Sequence, residues 1–262
     1  MTTPRSMVPD PDHVLAESSA WMWVPPEART VETDEFLLVA YPEHFSDPTV
    51  ATRWRSERPA DALIDDVLDA AHGLGRDAVS FFELGEATRP PDLERRLRER
   101  GAELTETLAV LALDLTRGVP DLDVPPDLEV RRVADLDDLR AADRIDVEVF
   151  GGSHADEDAL AATAARLADD HRYLVLRDGT PVGTAGHVVA GATVRLWGGA
   201  VVPAARHTGA YRALLDRRLR EGAGAGCTMA LVKGRVETSA PVLLRAGFSA
   251  YGEVRAYRLA RR

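Results

Sequence analysis

The stretch VVPAARHTGAYRALLDRRL, residues 201–219, constrains the fold more than any other part of the chain. A β-branched pair runs into Pro203, then a polar turn, Arg206-His207-Thr208-Gly209, then a leucine-rich pattern of helical period. A strand that feeds a helix with no loop to spare requires a layered α/β arrangement, the helix packing back over its sheet. It also places the helix N-terminus, with its unpaired N–H groups and partial positive charge, just beyond the strand's end. An anion can dock there. Gly209 offers no side chain to obstruct a phosphate, Arg206 adds a fixed charge, and Pro203 withholds a ladder donor where the strand should part from its neighbour. One glycine in a turn is a weak signal, and on these residues alone a plain helix cap is the favoured reading.

The remaining pattern places this unit in context. EFLLVAYP and DAVSFFEL read as buried strands, with an amphipathic helix through Leu63, Leu68 and Ala71 between them. PPDLERRLRERG is a short helix with prolines at its start and glycine at its end, followed by one long strand or a bent pair, ELTETLAVLALDL. GVPDLDVPPD, residues 118–127, carries no apolar period and reads as a linker. Beyond it come a strand, LEVRRVA, a helix opening on an Asp cap, and a second helix, DEDALAATAARLADD. Three strands follow, the first two joined by Asp178-Gly179, then the helix from Gly209 to about Glu221. A strand, a short helix and a closing strand end the chain. Residues 97–115 and 243–261 align without gaps at an offset of 146, both running helix end, glycine, long strand. The expected organisation is therefore a degenerate first copy over 1–117, the linker 118–127, and a second copy over 128–262, each a mixed, mostly antiparallel sheet flanked by helices.

Strand, two helices, three antiparallel strands, anion-binding turn and helix, strand, short helix, strand is the element order of the GNAT acyltransferases. That family's acyl-CoA loop has the pattern Arg/Gln-x-x-Gly-x-Gly/Ala after Val-x-Pro, and VVPAARHTGAY matches it at Pro203, Arg206 and Gly209. SAPVLLRAGF resembles the family's second motif, a short helix ending in Gly247-Phe248. The chain thus resembles a tandem GNAT protein of the type common in high-GC bacteria. The resemblance implies acetyl-CoA as co-substrate, held by the loop N–H groups of His207, Thr208, Gly209, Ala210 and Tyr211 with Arg206 beside them. It implies that the two central strands splay, and that an N–H of Val201 or Val202 polarises the thioester carbonyl. Two departures stand out: the loop's last small residue is Tyr211, and the short-helix position where the family often has a proton-donating tyrosine is Leu243. The usual carboxylate is missing from TVRLWGGAVV, so Glu237 is the first candidate base and Tyr211 the first candidate acid, with capping and packing as their structural alternatives.

Composition excludes other classes. The net charge is -11; residues 1–120 carry 12 basic and 23 acidic side chains and the rest are balanced, so no basic stripe indicates nucleic acid. The acidity of Asp65, Asp66 and Asp69 on the first amphipathic helix is the candidate lure for a cationic acceptor. No apolar run is long enough to span a bilayer, the stretch MTTPRSMVPDPDHV is not expected to be a secretory signal, and the lone Cys227 suits a reducing, cytoplasmic setting. The seven histidines show no metal-ligand spacing, and no Gly-x-Ser-x-Gly elbow exists. The expectation is an N-acyltransferase for a small-molecule amine, monomeric or homodimeric, without metal. The alternative is a GNAT-fold module that binds a metabolite without catalysis.

Overall fold

The structure, a computed structural model, describes residues 9–168 and 170–261. It divides into two compact units, neither contiguous in sequence. The amino-side unit takes Asp12–Val110, Gly234–Pro241 and the chain from Ala250 on. The carboxy-side unit takes Leu111–Lys233, Val242–Ser249 and the described residues before Asp12. This differs from a split at 118–127 in several places, two of which have a visible cause. The segment 118–127 belongs to the carboxy-side unit, because Leu122 is buried there and Val124 packs on its core. The last strand belongs to the amino-side unit, because its backbone is laddered to that unit.

In the amino-side unit the strands run β1 (Arg29–Glu32), β2 (Leu37–Ala40), β3 (Thr49–Thr52), β4 (Ala78–Leu84) and β11 (Ser249–Ala260), in that spatial order. All pairs are antiparallel except β3 with β4, whose parallel register covers Val50 with Ser80 and Ala51 with Phe81. Helix α2 (Ala60–Gly73) makes that crossover, as a parallel pair requires. Its Leu63, Ile64 and Val67 pack with Phe81, Leu93, Leu97 and Tyr257 in one core. Asp65, Asp66 and Asp69 lie on the outer face of α2, and each meets an arginine: Arg100, Arg58 and Arg261 respectively. They do not form an uncompensated acidic cluster. Helices α1 (Pro11–Ala20) and α3 (Leu93–Glu99) and strand β5 (Glu103–Asp114) complete the first half; α1, β1 and β3 were not expected from the sequence.

In the carboxy-side unit the spatial order is β10 (Met229–Arg235), β9 (Thr193–Val201), β8 (Thr180–Ala190), β7 (His171–Arg177) and β6 (Leu128–Arg132). The hairpin turn between β7 and β8 uses Asp178 and Gly179, both at positive φ, as Asp-Gly predicts. Strand β7 alternates between two covered faces. Leu174 and Leu176 meet α4 (Leu136–Phe150) and α5 (Glu157–Ala164), while Tyr173 and Val175 meet α6 (Ala210–Gly224). Asp135 caps α4 by accepting the Asp138 N–H at 2.9 Å, the expected Asp cap. Among the described residues no helix is long and apolar enough to cross a membrane.

The repeat is visible in the elements themselves. Helices α3 and α7 (Ser239–Arg245) each span seven residues, and β5 and β11 each span 12. The glycines between them, Gly101 and Gly247, have φ of 85° and 96°. Each boundary recurs at the offset of 146 found in the sequence.

Candidate functional site

The sheet of the carboxy-side unit opens between β9 and β10. Strands β9 and β10 run parallel but pair only over Thr193–Arg195 with Met229–Leu231, after which β9 continues alone to Val201. Along its other edge β9 is bulged. Gly186 faces Trp197 and Thr184 faces Ala200, so Gly198 and Gly199 together stand opposite Ala185. Gly198 takes φ of 60°, the left-handed conformation that such a bulge asks of a glycine. Past the bulge, the Val202 N–H donates to Val182 O at 3.0 Å. Antiparallel alternation then turns the Val201 N–H away from β8, toward the opened edge. Of the two expected donors, Val202 is therefore already engaged, and Val201 is the one its register leaves available.

Pro203 starts a single 3₁₀ turn, Pro203–Ala205, and the chain swings through Arg206, His207 and Thr208 into α6. Thr208 Oγ1 donates to Ala205 O at 2.7 Å and closes the turn on itself. His207 has φ of 65° and, like Arg206, is exposed. Among the described residues no acceptor takes the backbone N–H groups from His207 to Arg212. Helices α1 to α5 each carry an acidic residue in the first turn, and α6 carries none. This is the electrostatic arrangement of an anion cradle.

Gly209 is the N-cap at φ of 91°, and a β-carbon there would lie 2.6 Å from Pro125 Cδ. The space its missing side chain provides is thus filled by the 118–127 segment, not held open for a phosphate. The same segment sends Asp123 to Arg212 at 3.5 Å. Tyr211 turns inward. Its ring covers Gly199, with Cε2 3.0 Å from where a β-carbon would stand, and its hydroxyl lies beside the Arg218 guanidinium. Burial raises the Tyr211 pKa, and Arg218 opposes the rise.

The other expected groups lie elsewhere. Glu237 is exposed in the turn after β10, within the amino-side unit. Leu243 is fully buried and has no proton to give. His187 stacks between His171 and Tyr173 at centroid distances of 4.8 and 5.7 Å, and burial pushes its pKa down to about 3, with His171 and Arg218 adding to the effect. Sequence reasoning missed Asp146, on the α4 face of the sheet. It pairs with Arg172, whose guanidinium lies 5.9 Å from the Trp197 ring centroid beside the bulge. Burial raises the Asp146 pKa against the pull of Arg172, and Asp146 Oδ1 is buried without a partner. An aspartate inside a helix carries no motif; the signal was only its place among the polar positions of α4.

The chain has the fold of GCN5-related N-acetyltransferases. One solved structure of that description, from Kribbella flavida, is 18% identical over 89% of each chain, with a TM-score of 0.61. Another, from Sphaerobacter thermophilus, is 16% identical, covering 96% of this chain and 94% of that one, with a TM-score of 0.63. A tandem GNAT protein from the clavulanic acid biosynthesis pathway is 14% identical, covering 99% of this chain and 90% of its own, with a TM-score of 0.54. No protein-family model and no curated relative matches the sequence.

Proposed function

We propose that the protein is an acyl-CoA-dependent N-acyltransferase of the tandem type, transferring acetyl to a primary amine of a small molecule. The observation that carries this is the run of unaccepted N–H groups from His207 to Arg212 at the end of a bulged strand that has left its parallel partner. These residues fit a pyrophosphate: consecutive donors, no acid in the first turn, and Arg206 at the mouth. The Val201 N–H would polarise a thioester carbonyl lying along the free edge of β9, a role supported by the register that turns it away from β8. The amine nitrogen bonds to the acyl carbon as the C–S bond breaks, and the thiolate leaves with the electron pair and takes up a proton lost by the amine. Asp146, with its raised pKa and unpartnered oxygen, is a better base for that amine than exposed Glu237. Tyr211, packed over Gly199 against the core, is assigned a packing role.

Acetyl-CoA at a hundredfold its Kd should stabilise the protein by about 2.7 kcal/mol, read as a rise in melting temperature. Thiol release with a panel of amines then tests transfer. No shift with any acyl-CoA would defeat the reading. A shift without turnover would favour a second one, a non-catalytic acyl-CoA-binding module, for which buried Leu243 in the proton donor's usual place is the specific observation.

A further inference from the structure

Four arginines of α6 make a telling comparison. Arg212 meets Asp123, Arg217 meets Glu221 and Arg220 meets Asp216, all at the surface. Arg218 is 2% exposed and, among the described residues, meets no carboxylate. A buried cation without a counter-charge is costly unless its donors are fully used. Here they are spent on one place. Nε donates to Leu214 O at 3.0 Å within the helix, and Nη1 reaches Gly186 O at 3.3 Å and Trp197 O at 3.4 Å. Gly186 and Trp197 are the facing residues that immediately precede the bulge. Beside the guanidinium stands Tyr211, whose ring lies on Gly199, the second bulge residue.

We propose that Arg218 is a positioning residue for acyl transfer: it pins the two facing residues that lead into the Gly198-Gly199 bulge, beside the tyrosine packed on Gly199, and so fixes the aim of the Val201 N–H. The inference rests on the acyltransferase reading for its consequence, but the clamp itself does not. Trp197 O and Tyr211 bracket two glycines whose backbone would otherwise sample many conformations. With Arg218 in place the donor is preorganised, and preorganised donors act on the transition state rather than on ground-state binding. The guanidinium is too deeply buried to touch acyl-CoA, so it acts through the strand. Its neighbour His187 is held neutral and adds no second cation.

The test uses the full chain. Arg218→Lys keeps the charge but loses the planar fork that reaches the helix and both facing strands together. Amide hydrogen exchange is measured in the ligand-free protein, and kcat, KM and acetyl-CoA Kd in the active one. The expected result is exchange at Ala200 and Val202, the amides laddered to β8 past the bulge, faster by about tenfold or more, with Leu214 and Leu215 unchanged. Turnover should fall by about tenfold to a hundredfold while Kd for acetyl-CoA moves by less than about twofold. Tyr211→Phe removes the hydroxyl beside Arg218 without emptying the site, and should give a smaller change of the same kind. It serves as the deciding variant if Arg218→Lys does not fold. Unchanged exchange at the bulge overturns the clamp, and a loss of Kd in step with kcat overturns its positioning role. If the wild-type protein transfers no acyl group, the exchange measurement alone decides, and that failure belongs to the functional reading.

Discussion

Gly209 serves two constraints at once, a left-handed φ and a close approach by Pro125. Gly209→Ala should therefore cost about 2 kcal/mol or more, from the conformational penalty and the overlap together, and should abolish the acetyl-CoA thermal shift. The sequence pointed to this glycine for a different reason, because a phosphate-facing gap and a segment-facing gap leave the same residue behind. His187 shows the converse. Its chemistry was invisible in a strand pattern, since the depressed pKa comes from burial and from His171, Arg218 and Arg132 around it. The unfolded chain takes up this proton near pH 6.5 and the folded chain only near 3, so stability is present above 6.5 and is lost as pH falls between the two. At pH 5 the loss from this group is about 2 kcal/mol. His187→Gln should flatten the pH dependence of denaturant midpoints between 6.5 and 4 by a comparable amount. An unchanged profile would show that His187 does not carry this acid sensitivity.

At the scale of elements, the carboxy-side unit was readable because its strands are long and its helices are capped. Strand β8 runs 11 residues, β9 runs nine, and α4 and α5 start on capping aspartates. The elements that escaped, α1, β1 and β3, have weak local signals. Helix α1 buries only Val14 and Ser18, while β1 and β3 are four residues each. Strand β3 is fully buried yet bounded by threonines, so neither alternation nor length marks it. The bulge in β9 was foreshadowed by the Gly198-Gly199 pair but not its consequence, because register depends on β8. For α6 the reading makes a graded demand. Arg206 is exposed, so it works as a screened charge rather than an anchor. Arg206→Glu should weaken acetyl-CoA binding by about threefold to tenfold at low salt, and the deficit should shrink as ionic strength rises. Calorimetric titration at two salt concentrations checks this; a salt-independent deficit would mean Arg206 shapes the turn rather than attracting phosphate.

At the scale of the molecule, the sequence revealed a repeat but not which strand goes with which unit. Pairing of β11 with β4 joins residues more than 170 positions apart, and no local pattern specifies that. The repeat also raises the question of stoichiometry, which each unit answers separately. In the amino-side unit the crossover from β3 to α2 has been remade. The indole N–H of Trp54 donates to Phe82 O at 2.7 Å, and Thr52 Oγ1 donates to Glu83 Oε2 at 2.9 Å, so side chains bridge β3 to β4 where the other unit's strands part. The N-cap of α2 is Pro59, which has no N–H to offer, and the first turn holds Asp61, already bound by Arg96 and Arg100. Arg58, the nearest cation on the approach, is engaged by Glu35 and Asp66. A pyrophosphate arriving there would meet a carboxylate instead of a row of donors, and the acidic balance of residues 1–120 would oppose it further. One acetyl-CoA per chain is therefore expected, bound by the carboxy-side unit. Calorimetry on the intact protein should give a stoichiometry near one, and Gly209→Ala should remove the whole signal rather than half of it. A value near two, or a residual site in that variant, would mean that the remade crossover still binds and that the degenerate copy is not degenerate in function.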